Sequence, residues 1–216
     1  MRYEHLRVLI EDDNLWSIFA QMCQAFARAE VPPTVMAAIR IRRMTALKKD
    51  NGRIRGIVAG NILRRLVGKT VAHQHAVDFL KCTAPYQYAL QTKAGVEALA
   101  HVLRYLAEND PDIVVMSLDG IGAFDHVKRA AFIRNILDTP ELQDILPLVL
   151  ALYGSESKFL WTDDDGNVHE IIQAESGEQG CRLMPTLYAL AQQHAIVFAD
   201  QNLLPDELLL NFLDDL

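Results

Sequence analysis

Apolar residues recur at helical spacing over most of the chain, and give way to alternation or short unbroken runs in a few places. Asn14 to Glu30 follows an Asp-Asn start signal and sets Leu15, Ile18, Phe19, Met22 and Phe26 along one side of an amphipathic helix. Val31-Pro32-Pro33 interrupts the pattern, and a second helix is expected from Thr34 to about Met44. A longer helical pattern runs from Asn61 to Phe79, with Ile62, Leu66, Val67 and Val71 on one side. Lys81 to Thr92 reads as a connection punctuated by Pro85, and Lys93 to Asn109 as a helix with a buried stripe of Val96, Leu99, Val102, Leu103 and Leu106. Further helices are expected over Val127 to Leu137, Pro140 to Tyr153 and Leu183 to Asp200, the last with Pro185 in its first turn.

The period changes around Leu47 to Val58, where Asn51-Gly52, a pair suited to positive φ, predicts a hairpin with basic residues on both arms. A second hairpin is expected from Phe159–Trp161 and Val168–Ile172 around the acidic turn 162–167. Ile113 to Leu118 is an apolar run that opens on Asp119-Gly120, followed by Gly122, Phe124 and Asp125; it reads as a buried strand delivering a carboxylate. Leu208 to Asp215 is a second apolar strand candidate, ending in Asp214 and Asp215. Each stretch alone is equally a core strand or tail ending in a solvated acid. Together they can supply partners for one another.

The chain of 216 residues is 50% hydrophobic and 23% charged, enough to bury a core and too apolar for disorder. With no apolar run of membrane-spanning length and no signal-peptide pattern, the expectation is a soluble intracellular protein without a membrane partner. Cys23, Cys82 and Cys181 fit neither a disulfide framework nor a CxxC site. The net charge of -7 is unevenly placed: residues 40–69 hold ten basic residues and one acid, leaving 11 basic and 27 acidic residues elsewhere. A cationic surface on an acidic body suits a phosphate backbone or a triphosphate, although a solvated helix face accounts equally for Arg40, Arg42 and Arg43.

Several chemistries are disfavoured. A phosphatase of the haloacid-dehalogenase type needs a nucleophilic aspartate where Ser117 stands. A dinucleotide fingerprint beginning at Gly120-x-Gly122 would place Asp125 at its third glycine, against pyrophosphate. The aspartates at 163–165 lack the downstream spacing of a calcium loop and read as an acidic turn. The seven histidines form no zinc pattern and read as structural.

Leu118-Asp119-Gly120-Ile121-Gly122-Ala123-Phe124-Asp125, Gln179-Gly180-Cys181 with Met184-Pro185, and Phe212-Leu213-Asp214-Asp215 occur in the order of three motifs of the reverse transcriptases. The segment Lys48 through Arg55-Gly56-Ile57 resembles the family's fingers, and Gln87-Tyr88 to Thr92 its link to the palm. The chain thus resembles a reverse transcriptase fingers and palm domain, most nearly of the non-LTR retrotransposon type, from about Leu47 onward. The resemblance implies an α+β polymerase right hand, with helices packed on a small antiparallel palm sheet and the thumb absent. Its regions would be an N-terminal helical extension (1–46), fingers with a basic hairpin (47–112) and a palm truncated after the Asp-Asp box (113–216).

The same resemblance implies two-metal nucleotidyl transfer from deoxynucleoside triphosphates to a DNA primer on an RNA template. Magnesium is the expected metal, with manganese as an alternative. Asp119, Asp214 and Asp215 would be the catalytic metal ligands, with the Gly120 carbonyl as a further one. Phe124 would lie beneath the incoming sugar, Gln179 and Gly180 would position the nucleotide, and Lys48 and Arg55 would grip its phosphates. Arg65 would contact template. Gly56, Leu213, Arg182 and Met184 depart from the usual residues, the last two beside the nucleotide pocket. A catalytically inactive remnant that only binds nucleic acid is the alternative reading.

Overall fold

The computed structural model describes residues 3–48, 50, 52, 54–90 and 92–213. Two short helices, α1 (Tyr3–Ile10) and α2 (Asp13–Ala27), open the chain. The Asp12 carboxylate starts α2 by accepting from the amides of Asn14 (2.9 Å) and Leu15 (3.0 Å), which meets two of the four N–H groups a helix leaves free. Helix α3 (Pro33–Arg40) begins with proline in its first turn and ends four residues before the helix expected from the pattern. The reason is tertiary: residues 41–48 form β1 (Ile41–Lys48), which is paired on both sides. Strand β2 (Ile54–Ala59) completes the basic hairpin, whose tip residues Lys49, Asn51 and Arg53 lie outside the described residues.

Asn61 caps α4 (Ile62–Gln74) by accepting from the Arg64 amide at 2.8 Å. The pattern continuing to Phe79 breaks at His75, and α5 (Ala76–Thr83) follows. Helix α6 (Gly95–Asn109) leads to a long extended stretch, then α7 (Ala123–His126) and α8 (Arg129–Asp138). A 3-10 helix (Pro140–Ile145) and α9 (Leu146–Tyr153) replace the single helix expected there. The second hairpin forms where the alternation placed it, as β3 (Ser157–Thr162) and β4 (Val168–Gln173), and α10 (Met184–Asp200) follows.

The four strands make one mixed sheet in the order β2-β1-β3-β4. Each hairpin is antiparallel, and the two are joined by parallel pairing of β1 with β3, Arg42 lying opposite Phe159. The α+β class holds, and among the described residues the sheet is mixed, where the resemblance implies a small antiparallel palm sheet. Ile113–Leu118 is extended without ladder partners among the described residues, and Val114 and Met116 are 88% and 72% exposed. Leu208–Phe212 likewise makes isolated bridges only, one of them parallel, between Asn211 and Gln87. An apolar run is buried only where another element covers it, and covering is a property of the whole fold.

The core gathers where α8, the 3-10 helix, α9 and α10 meet: Phe132, Ile136, Leu142, Leu148, Val149, Leu187 and Leu190, joined by Phe26 and Phe79 from α2 and α5. Each such side chain contributes about 1.5–3 kcal/mol by leaving water. The peripheral helices are less buried than their stripes suggest. In α2 only Phe19 and Phe26 are enclosed, and in α6 Val96 is exposed and Leu99, Val102, Leu103 and Leu106 are half-buried. Among the described residues no helix is long and apolar enough to cross a membrane.

Candidate active site

Asp119 lies at the end of the open extended stretch, exposed, with no hydrogen bond or ion pair to its carboxylate among the described residues. Gly120 follows it, and the chain then turns through Gly122, whose φ of +62° is costly for residues bearing a Cβ, into α7. The short helix sets Phe124 edge-on against Tyr188 of α10, with ring centroids 5.2 Å apart. The carbonyl of Phe124 accepts from the Gly177 amide at 2.6 Å. Thus the predicted sugar-side aromatic and the Gln-Gly loop are directly tied.

The loop itself is docked against the basic hairpin. The amide of Val58 in β2 donates to the Gln179 carbonyl at 2.8 Å. Gly180 has φ +113°, and a Cβ there would lie 2.4 Å from the Val58 carbonyl oxygen, so neither the conformation nor the space admits another residue. Here the Gln-Gly pair works as a joint between two parts of the chain.

Glu178, which the sequence reading passed over, sits beneath this joint. It is buried and its Oε2 is shared by two buried arginines: Arg64 Nη2 of α4 at 2.8 Å and Arg42 Nη1 of β1. Ser157 donates to its other oxygen at 3.2 Å. The guanidinium of Arg42 also lies over the Phe159 ring and that of Arg64 over Tyr153. Burial, reinforced by the charge of Arg64, lowers the Arg42 guanidinium to about 9, still charged at neutral pH. Burial raises the Cys181 thiol, but Arg64, Tyr153 and the Leu183 amide outweigh it, and the net displacement is downward. Arg129 is a third buried arginine. It donates to the carbonyls of Ser176, Tyr153, Ser155 and Gln173 and to Ser157 Oγ, stitching α8 to the loop and to the second hairpin. Residue type argues against burial for all three, so composition carried no sign of them.

Lys48 and Arg55 are separated by the pleat. Lys48 pairs with Ile54, whereas Arg55 pairs with Leu47, so the two side chains leave opposite faces of the hairpin. Lys48 shares its face with Met44 and Val58, and Arg55 shares its face with Ile57 and Arg43, while the Gln-Gly loop meets β2 along its backbone edge. A joint grip on one triphosphate is therefore not what this register presents. Arg65 is exposed on α4, as a backbone contact requires, while its neighbour Arg64 is committed to Glu178.

Asp214 and Asp215 lie outside the described residues, so their meeting with Asp119 does too. What is described is how the chain reaches them. Asn211 is bracketed by Tyr86 and Tyr88, its amide donating to one carbonyl (3.0 Å) and its carbonyl accepting from the other amide (2.9 Å). Among the described residues no cluster of three or more metal-ligating side chains occurs. The donor set fits magnesium in kind: the Asp119 carboxylate, without a partner among the described residues, and two more that follow Leu213 in the sequence are the hard oxygen ligands it prefers. The acidic turn is committed elsewhere, with Asp163 accepting from the amides of Asp165 and Asn167 and meeting His169 Nε2 at 2.6 Å.

The chain matches a structure of apo telomerase from Candida tropicalis truncated from its C-terminal domain, with a TM-score of 0.57 over 82% of its length. The identity is 12%, a likeness of fold alone, and the match covers 43% of the telomerase chain. No family model and no curated protein matches the sequence.

Proposed function

We propose that this chain carries the fingers and palm of an RNA-directed DNA polymerase of the non-LTR retrotransposon type. The observation that carries the proposal is the fold likeness to telomerase over most of a chain that also has the three motifs in order. Two magnesium ions, or manganese in their place, held by Asp119, Asp214, Asp215 and the Gly120 carbonyl, would activate the primer hydroxyl and hold the triphosphate.

The chain's own residues do the rest. Phe124, backed by Tyr188, offers a flat apolar surface to the sugar. Gln179, held to β2, positions the nucleotide beside Lys48. Arg55 and Arg43 on the far face of the hairpin, with Arg65 on α4, serve the RNA and DNA backbones rather than the triphosphate.

The test is primer extension on an RNA template with magnesium and deoxynucleoside triphosphates, with Asp119→Asn as the control. Extension that survives in Asp119→Asn rules out the metal assignment. The reading as a nucleic-acid-binding remnant draws on one observation, the largely exposed stretch 113–118, which has no ladder partner among the described residues. Salt-sensitive RNA binding with no extension supports that reading instead.

A further inference from the structure

Glu178 is outnumbered where it is buried. Its single negative charge meets two enclosed guanidiniums, Arg42 of β1 and Arg64 of α4, and Arg129 of α8 adds a third positive charge nearby. Buried cations persist where anions and hydrogen-bond acceptors surround them. Arg129 has its acceptors, four carbonyls and Ser157 Oγ. Arg42 and Arg64 fall short: Arg42 Nη2 and Arg64 Nη1 are enclosed without a hydrogen-bond partner among the described residues. One carboxylate does not balance two guanidiniums, so the cluster has a place for a second anion.

Cys181 is placed to supply it. Arg64 Nη2, which donates to Glu178 at 2.8 Å, also reaches Cys181 Sγ at 3.9 Å. The Tyr153 hydroxyl has no hydrogen-bond partner among the described residues other than this sulfur, which it faces. Tyr153 is 1% exposed, and burial raises its phenol, which keeps a proton to donate. Arg42 is close enough for a negative sulfur to favour its charged form. The charged and titratable side chains around the sulfur are thus Arg64, Arg42, the Glu178 they share, and Tyr153; Arg182, next in the chain, is exposed. A thiolate beside Glu178 brings two negative charges against the two guanidiniums. Cys23 and Cys82 have no such surroundings, and burial raises both thiols.

We propose that Cys181 is the second anion of this cluster, a thiolate held by Arg64 and Tyr153, and that this makes it a modification site for hydroperoxides. Cys181 is half-buried rather than enclosed, which admits a small peroxide. The sulfur attacks the terminal oxygen of the peroxide, and the S–O bond forms as the O–O bond breaks. The thiolate is oxidised to a sulfenic acid, and the peroxide is reduced to hydroxide or alkoxide, which takes a proton from water. Arg64 favours the reacting thiolate over the inert thiol. The added oxygen enters a joint in which Gly180 already has no room for a Cβ.

The test begins with the unsubstituted full chain. Iodoacetamide alkylation of each cysteine is followed across pH by peptide mass spectrometry, and oxidation by hydrogen peroxide through dimedone trapping of the sulfenic acid. Cys181 should alkylate with a midpoint below the value of about 8.5 for a free thiol, and Cys23 and Cys82 above it. At neutral pH, Cys181 should form sulfenic acid at least tenfold faster than either. In Arg64→Met, Glu178 keeps Arg42 as its partner and the Cys181 thiol takes its proton back. The midpoint then rises to that of a free thiol or higher, and trapping falls at least tenfold. Circular dichroism checks folding.

A Cys181 midpoint at or above that of a free thiol overturns the proposal. So does sulfenic acid that forms no faster at Cys181 than at Cys23 or Cys82, or a folded Arg64→Met protein with an unchanged Cys181 midpoint. The comparison among the three cysteines needs no variant, and it decides the matter if Arg64→Met does not fold. The outcome is independent of primer extension.

Discussion

Replacing Glu178 by leucine removes the one carboxylate between Arg42 and Arg64, whose side chains are 1% and 3% exposed. Both guanidinium groups would remain charged and enclosed, and their positions on β1 and α4 give them no route to solvent without unfolding the joint with the Gln-Gly loop. Breaking a buried ion pair by removing one partner costs about 3–5 kcal/mol. That is a large part of the roughly 5–15 kcal/mol that holds a domain folded. At about 2–4 °C per kcal/mol for a chain of this size, the melting temperature should fall by roughly 6–20 °C. Replacing the whole triad, Arg42→Met and Arg64→Met with Glu178→Leu, leaves no buried charge and should recover most of the loss or exceed the wild type. Urea unfolding followed by far-UV circular dichroism and by tryptophan fluorescence reads both variants. A loss below about 1 kcal/mol in the single variant, or a triple variant no better than the single, would refute the argument, because either would mean the guanidiniums are solvated rather than paired.

Gly180→Ala should cost more than about 2 kcal/mol and slow amide exchange protection at Val58 should be lost, since a Cβ meets the Val58 carbonyl at 2.4 Å; unchanged exchange would show that the loop is not docked there. Lys48→Ala should raise KM for nucleotide, while Arg55→Ala should flatten the salt dependence of RNA binding by about one ion. Because the two side chains leave opposite faces, the double variant should be additive to within about 0.5 kcal/mol, and strong coupling would contradict the register. The Asp163 carboxyl is lowered to about 2, chiefly by its hydrogen bond to His169. A group with a depressed folded value stabilises above its ordinary pKa and loses that contribution as pH falls. Carbon NMR should accordingly find a midpoint near 2 that rises toward the usual carboxylate range in His169→Ala, and an ordinary midpoint in the wild type would exclude the pair.

The elements that read correctly from the pattern are those whose partners are close in sequence. The hairpin β3–β4 and helix α10 follow from local alternation, turn residues and a first-turn proline, and none of these needs distant chain to form. The candidate motifs are likewise local strings of residue types, read without reference to distant chain. Gly180 could be singled out as a residue type, but its reason, the approach of the Val58 carbonyl, lies 122 positions away.

Distant pairing accounts for the rest. Residues 41–44 look like the end of a helix until two strands are available to pair with them, and Ile113–Leu118 looks like a core strand, yet among the described residues it has no ladder partner and is largely exposed. Arg42, Arg64 and Arg129 look like surface charges, and only the packing of α4, β1 and α8 around Glu178, Ser157 and a set of carbonyls makes burial affordable for them. The chain's local chemistry therefore specified the kinds of element and the identity of the candidate acids. Which runs are covered, which cations are paired and which side chains share a face followed from contacts between segments far apart in sequence, because hydrogen-bond partners and desolvation exist only once those segments meet.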